Sequence, residues 1–252
     1  MKNSKSLIVL GATSALAHAY LRLVAQKDEY NQFFLVGRTK DTLAMVQNDI
    51  ATLSSKKTVS IVNPLSDPTQ ISAAIEDIKA ATGSIDEVIL AYGTLSDQGK
   101  MQADADELQS MMQTNLISPV LWMEAIAAEF EQQRTGHLVV IGSVAGDRGR
   151  MSNYLYGATK GALERVAEGM AHRFGSNQNI TVTLVKPGFM ITPMTEGLDR
   201  SGPLWAKPEK VAKAISKAVK QKRSRIYVPW FWRFILLIVR ALPVPIFHKT
   251  KL

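Results

Sequence analysis

Cysteine is missing from all 252 positions, which removes disulfides, thiolate nucleophiles and cysteine-ligated metals from consideration. Its absence also fits a reducing compartment. Only four histidines are present, His18, His137, His172 and His248, and none has metal-ligand spacing, so no metal site is expected. Near the start, "MKNSKSLIVLGATS" has a basic beginning but a very short apolar run. A secretory core needs about 7–15 such residues, so the expectation is a first β-strand. Acid is scarce in one region alone. From Lys207 onward a single Glu209 faces 12 Lys and Arg, whereas residues 1–206 carry 21 acids against 18 bases. The net charge of +8 therefore belongs to a basic tail on a mildly acidic body, and points to phosphate or an anionic surface.

Neither internal repeats nor a low-complexity linker interrupts the chain. Short runs rich in β-branched residues recur: "SLIVL" (6–10), "FFLV" (33–36), "TVSIV" (58–62), "EVILA" (87–91), "HLVVI" (137–141), "TVTLV" (181–185) and "RIYV" (225–228). Stretches with apolar residues three and four apart separate most of them, for example "ADELQSMMQTNLISPVLWMEAIAAEF". Continuous apolar strands alternating with helices predict a parallel sheet covered on both faces. The expected class is α/β, a Rossmann-type doubly wound domain with seven strands over residues 1–228. Residues 229–252 then form an apolar and basic helical appendage.

Strand one runs into "GATSALAHA". Gly11 suits a tight turn, Thr13 and Ser14 supply hydroxyls and a helix cap, and the amides of Ala15 and Leu16 open the helix. That arrangement suits a dinucleotide pyrophosphate, although Ala15 and Ala17 replace two customary glycines and a plain strand–turn–helix has the same pattern. Strand two ends in "LVGRTKD", with Arg38 where a carboxylate would favour NAD. A guanidinium there suits the 2′-phosphate of NADP; otherwise the segment is a solvated basic loop. Asn63, after strand three, is a candidate for the adenine edge.

"YLYGATKGAL" (154–163) puts Tyr156 and Lys160 one helical turn apart on one face. Ser143 sits just past the end of strand five, and Gly93 past strand four, at the edge where open α/β sheets bind ligands. Asn115 lies inside a long helical pattern, a place where asparagine needs a reason. A carbonyl that accepts hydride needs a proton donor. A free phenol, with pKa about 10, donates and accepts poorly at neutral pH, and a neighbouring ammonium is expected to lower that value. Ser143 could hold the same oxygen by hydrogen bonding.

On these residues, together with Pro187-Gly188-x-x-x-Thr192, residues 6–228 resemble the short-chain dehydrogenase/reductase family. "AYG" (91–93) departs from the family's Asn-Asn-Ala-Gly. The resemblance implies an NAD(P)-dependent oxidoreductase, with NADP(H) favoured over NAD(H) by Arg38, and Asn115, Ser143, Tyr156 and Lys160 as the catalytic set. It further implies that Lys160 binds the nicotinamide ribose and Asn115 a water that reaches Lys160. Thr192, with Pro187 and Gly188 nearby, would meet the nicotinamide amide. A homodimer or tetramer is implied in the same way. Tyr154 becomes a pocket wall. "RGR" (148–150) either meets an anionic substrate or is solvated.

In "VPWFWRFILLIVRALPVPIF", Pro229 can start a helix and Pro243 stop it. About 13 residues reach roughly 20 Å, short of the ~30 Å hydrocarbon core. Aromatics, aliphatics and the pair Arg233 and Arg240 read as an interfacial segment on an anionic membrane surface. A dimer interface or a lid over the active site is the alternative; nucleic acid is not expected, because aliphatics outnumber polar base-reading groups. The expected substrate is a lipophilic or lipid-linked carbonyl, and the expected location is cytoplasmic, peripheral at the inner face of a membrane. With "AYGTLSDQ" (91–98), the tail resembles that of the reductase subunits of decaprenylphosphoryl-ribose 2-epimerases, which act on a keto-sugar carried by polyprenyl phosphate. A soluble ketone reductase and a non-catalytic nucleotide-binding scaffold remain as alternatives.

Overall fold

A computed structural model of the chain describes residues 5–177, 179–197, 199–200 and 202–250. Seven strands, β1 (Lys5–Leu10), β2 (Tyr30–Gly37), β3 (Lys57–Val62), β4 (Glu87–Leu90), β5 (Gly136–Ile141), β6 (Ile180–Pro187) and β9 (Arg225–Val228), form one sheet. Two more, β7 (Phe189–Met190) and β8 (Trp205–Ala206), pair separately. The large sheet runs β3-β2-β1-β4-β5-β6-β9 with every neighbouring pair parallel. Strand order reverses between β1 and β4, and open α/β sheets bind ligands at such a switch point.

Alternate residues of the strands feed two separate cores. Ile8 and Leu10 of β1 join one, under α3 (Pro68–Thr82), α6 (Ser118–Gln133) and α7 (Tyr154–Arg173). Leu7 and Val9 join the other, under α1 (Ala15–Ala25), α2 (Lys40–Leu53) and α8 (Pro208–Lys220). Both faces are therefore covered, and this is why the strands read as unbroken apolar runs.

The segment after β4 differs from the single long helix expected. It contains α4 (Gln98–Ala103), α5 (Ala105–Met112), a π-helical turn (Gln113–Ile117) and then α6. Asn115 sits in the π turn, fully buried, and such turns concentrate at functional positions. This is the reason its presence in a helix required.

After a cis Val228–Pro229 bond, the chain forms α9 (Trp232–Ala241) and α10 (Val244–Phe247). Trp232 and Leu236 of α9 are buried, in a small cluster with Val144. The opposite side of this segment is exposed and apolar: Trp230 is 72%, Leu237 63% and Ile238 65% accessible. No described helix is long and apolar enough to cross a membrane.

Candidate active site

The turn after β1 is built around a glycine. Gly11 has φ +78°, and a β-carbon there would lie 2.5 Å from that of Tyr92, so a side chain is excluded by backbone and space alike. Ser14 caps α1 by accepting the Ala17 amide at 3.2 Å. The amides of Ala15 and Leu16, in the first turn of α1, have no intrahelical partner, which leaves a site for a phosphate at a helix N-terminus. Thr13 is exposed beside them. Ala17 is fully buried, so its methyl stands in the core and not in the turn. These features fit a dinucleotide pyrophosphate without the second and third glycines.

Farther along the same edge, Arg38 is exposed just after β2 and pairs with no described residue. Asn63, just after β3, is buried and already occupied: its Oδ1 accepts the Leu65 amide at 2.7 Å and its Nδ2 donates to the Gln70 carbonyl at 2.9 Å. Its side chain shapes the loop, and its backbone remains on the cleft edge.

Tyr92 replaces a family asparagine without entering the cleft. Its hydroxyl bonds the Ser118 hydroxyl at 2.7 Å, and the ring packs against the core beneath α6. Next to it, Gly93 is where the constellation closes. A β-carbon on Gly93 would lie 3.0 Å from Asn115 Oδ1 and 3.4 Å from Lys160 Nζ. Asn115 grips the following residue at both ends, accepting the Thr94 amide at 2.7 Å and donating to the Thr94 carbonyl at 2.8 Å.

Ser143 ends the β5 edge, and its hydroxyl accepts the Ala145 amide at 3.1 Å. Gly157 and Gly161 let the first turns of α7 approach the Ser143–Gly146 loop, since β-carbons there would meet the Ala145 and Gly146 carbonyls at 2.8 Å and 3.2 Å. This close contact carries Tyr156 to Ser143. Lys160 is 5% exposed, with Nζ 3.4 Å from the Ile141 carbonyl and 5.9 Å from the Tyr156 ring centroid.

Burial sets the protonation of this group. Desolvation lowers the Lys160 pKa to about 8. It also raises that of Tyr156, while the neighbouring Ser143 hydroxyl works the other way. The expectation that the ammonium acidifies the phenol is thus not met: burial raises the phenol, and what opposes it is the Ser143 hydroxyl and not Lys160. What results is a buried amine with its pKa lowered to about 8 beside a phenol that keeps its proton.

Pro187 ends β6, and the Gly188 amide donates to the Val228 carbonyl at 2.9 Å. The half-buried Thr192 donates its amide to the Thr195 hydroxyl at 3.2 Å. Tyr154 is 42% exposed and receives a bond from Gln102 at 3.0 Å.

Three features escaped the sequence reading. Trp232 of α9 lies on Gly188 so closely that a β-carbon there would overlap the indole, and the indole N–H is buried without an acceptor among the described residues. Arg148 is neither solvated nor free for a substrate: it donates to the Val239, Arg240 and Leu242 carbonyls and stacks over Phe247 at 3.7 Å. It thereby caps α9, where carbonyls need donors. Finally, Lys186, fully buried just before Pro187, pairs with Asp147 at 2.8 Å and with Glu164. This ties the Ser143 loop, α7 and β6 together.

A nucleotide-sized turn at the switch point, opposite a Ser–Tyr–Lys–Asn cluster, defines an oxidoreductase of the Rossmann type. The pattern of the short chain dehydrogenase family matches residues 5–201, and the chain belongs to that family. An uncharacterized oxidoreductase of Mycobacterium tuberculosis is 33% identical over 169 residues, 67% of either chain. One from Streptomyces coelicolor is 29% identical over 97% of this chain and 95% of its own. Carbonyl reductase family member 4 of Xenopus laevis is 26% identical over 84% of this chain and 89% of its own. A short-chain type dehydrogenase/reductase from Mycobacterium marinum has the same fold, with TM-score 0.79 and 21% identity over 88% of this chain and 93% of its own.

Proposed function

We propose that the chain is an NADP(H)-preferring carbonyl reductase for a lipophilic or lipid-linked ketone, held peripherally on the cytoplasmic face of an anionic membrane. Residues 1–228 carry the chemistry and 229–252 the surface attachment. The observation that carries the catalytic reading is the convergence at Gly93. A side chain at Gly93 would crowd both Asn115 Oδ1, at 3.0 Å, and Lys160 Nζ, at 3.4 Å. The carbonyl reductase among the relatives agrees with that direction of chemistry.

A bound reduced nicotinamide supplies the hydride. Tyr156, which keeps its proton at neutral pH, gives it to the carbonyl oxygen. Ser143 donates a hydrogen bond to that oxygen and holds it in place. Lys160, whose pKa burial lowers to about 8, gives up a proton more readily than a free lysine and returns it to Tyr156. Asn115 fixes the Gly93–Thr94 backbone and, as family resemblance implies, orders a water leading to Lys160. Gly11, Thr13, Ser14, Ala15 and Leu16 receive the pyrophosphate. Asn63 borders the adenine, Arg38 meets the ribose 2′-phosphate, and Pro187, Gly188 and Thr192 border the nicotinamide. The active unit is a homodimer or tetramer.

A keto-sugar on polyprenyl phosphate and a long-chain keto-lipid both fit the tail, whose exposed apolar side suits a lipid surface. A second role for the tail is favoured by one observation, the seat of Trp232 on Gly188: its inner side closes the cleft as a lid. Titration with NADPH and NADH, followed by turnover on a panel of keto-lipids, keto-sugars and small ketones, tests the reading. Tighter NADPH binding and consumption with a lipophilic ketone are expected. Tighter NADH binding would refute the cofactor assignment, and turnover confined to small ketones the lipid one.

A further inference from the structure

Away from the catalytic cluster, a cavity of about 960 Å³ opens between the second half of α7, β9 and α9. Its size suits a small organic ligand, such sites spanning roughly 300–1,000 Å³. Neither Ser143, Tyr156 nor Lys160 lines it. Ala167 and Ala171 of its α7 wall stand 11 and 15 residues beyond Tyr156, about 16–22 Å along the helix. It is therefore not the place where the carbonyl reacts.

Three guanidinium groups line this cavity, those of Arg225, Arg233 and Arg240. Two carboxylates are there as well, but both are engaged. Glu168 is paired with Arg225 and with Arg165. Asp147 is held by Lys186 at 2.8 Å, accepts the Tyr227 hydroxyl at 3.2 Å and stands 3.8 Å from Arg240. Arg233 has no partner among the described residues. The cavity thus presents cationic groups in excess, with room between them and nothing anionic to spare.

Its remaining wall names the rest of the ligand. Phe234 and Leu237 of α9 line the opening and are 55% and 63% exposed; Ile238 of the same helix and Trp230 just before it are 65% and 72% exposed. Positions 234, 237 and 238 share one side of α9, and the Trp230 ring packs on that side against Phe234, centroids 5.8 Å apart. So the cationic cavity opens beside an apolar ridge, the two-part chemistry of a phospholipid at a membrane surface. A second copy of the chain fits less well, because a two-fold contact would bring the same arginines face to face.

We propose that this cavity is a headgroup site for an anionic phospholipid. Arg233 and Arg240 hold the phosphate, and the Trp230–Ile238 ridge seats in the acyl region. The proposal rests on the membrane reading of the tail and adds to it a selective, arginine-dependent phosphate contact. It orients the enzyme with α9 against the lipid and the Gly188 side of the cleft, which Trp232 covers, close to the surface.

The test is vesicle flotation on phosphatidylcholine alone and on phosphatidylcholine mixed with phosphatidylglycerol. It uses the full chain, the double variant Arg233→Gln/Arg240→Gln, and a charge-matched control on α8, Lys213→Gln/Lys217→Gln. All four positions are exposed, so folding is retained and is checked by thermal melting. The expected result is preference of the full chain for the anionic vesicles. The arginine variant should lose on the order of tenfold or more in partition and the α8 control clearly less. Equal losses in the two variants would mean diffuse charge attraction and overturn the site. Equal flotation of the full chain on both vesicle types would overturn the site and leave membrane attachment standing. No flotation on either would overturn both. Inorganic phosphate is expected not to raise the melting temperature; arginine-dependent stabilisation would reassign the cavity to a free phosphate. A change of mass in the arginine variant by light scattering would reassign it to contacts between copies.

Discussion

Replacing Lys160 by methionine is expected to make the protein more stable while destroying its chemistry. Lys160 is buried, and its one hydrogen bond among the described residues is a long one to the Ile141 carbonyl at 3.4 Å. Desolvation brings its pKa from 10.5 to about 8, which at 1.36 kcal/mol per pH unit corresponds to about 3 kcal/mol against the charged folded state. Methionine is similar in volume and needs no solvation. The lost hydrogen bond offsets about 0.5–1.5 kcal/mol of the gain. A net stabilisation of about 2 kcal/mol remains at neutral pH, or roughly 4–8 °C in Tm for a chain of this length.

The pH dependence identifies the cause. Below about pH 8 the lysine is charged in both folded and unfolded states and the full cost is present. Between about 8 and 10.5 the unfolded chain holds the proton and the folded one does not, so wild-type stability rises with pH. The advantage of Lys160→Met should therefore shrink across that window. Urea unfolding at a series of pH values, without nucleotide, measures this. A variant less stable than wild type at neutral pH, or an advantage that is flat with pH, would refute the reasoning.

Other substitutions separate the neighbouring effects. Lys186→Met leaves Glu164 buried without its cation, and Asp147 with only the Tyr227 hydroxyl and the more distant Arg240, and should cost about 3–5 kcal/mol in urea unfolding at neutral pH; the deficit should shrink in acid, where carboxylates protonate. Gly93→Ala places a methyl 3.0 Å from Asn115 Oδ1 and 3.4 Å from Lys160 Nζ. Steady-state assay should show turnover reduced on the order of 10²-fold by this displacement, with melting nearly unchanged. Arg38→Ala should weaken NADPH binding by about 10–100-fold and leave NADH binding unaltered, a charge-assisted contact to phosphate having been removed; fluorescence titration reads both.

What was legible in the sequence was whatever follows from local pattern. The strands inside the sheet announce themselves as apolar runs because they are covered on both faces, and the edge strand β3, which packs through Val59 and Ile61, shows as an alternation. The Tyr156–Lys160 spacing and the Ser143 position are likewise local. β7 and β8, at two residues each, are too short to show any period. The π turn at Asn115 could be sensed only as a residue out of place. Contacts between distant residues could not be read: Lys186 finds partners 22 and 39 positions away, and Arg148 caps a helix more than 90 positions later. The Tyr156 pKa was misjudged for a related reason. The neighbouring lysine is visible in a four-residue spacing, whereas the desolvation that raises the phenol comes from the whole fold.

The catalytic assignment is tested most directly by Tyr156→Phe. The variant keeps the ring and loses only the hydroxyl beside Ser143. Carbonyl-dependent NADPH oxidation, measured alongside NADPH binding and thermal melting, should fall by about 10²–10⁴-fold with binding and melting preserved. Turnover equal to that of wild type would contradict the account.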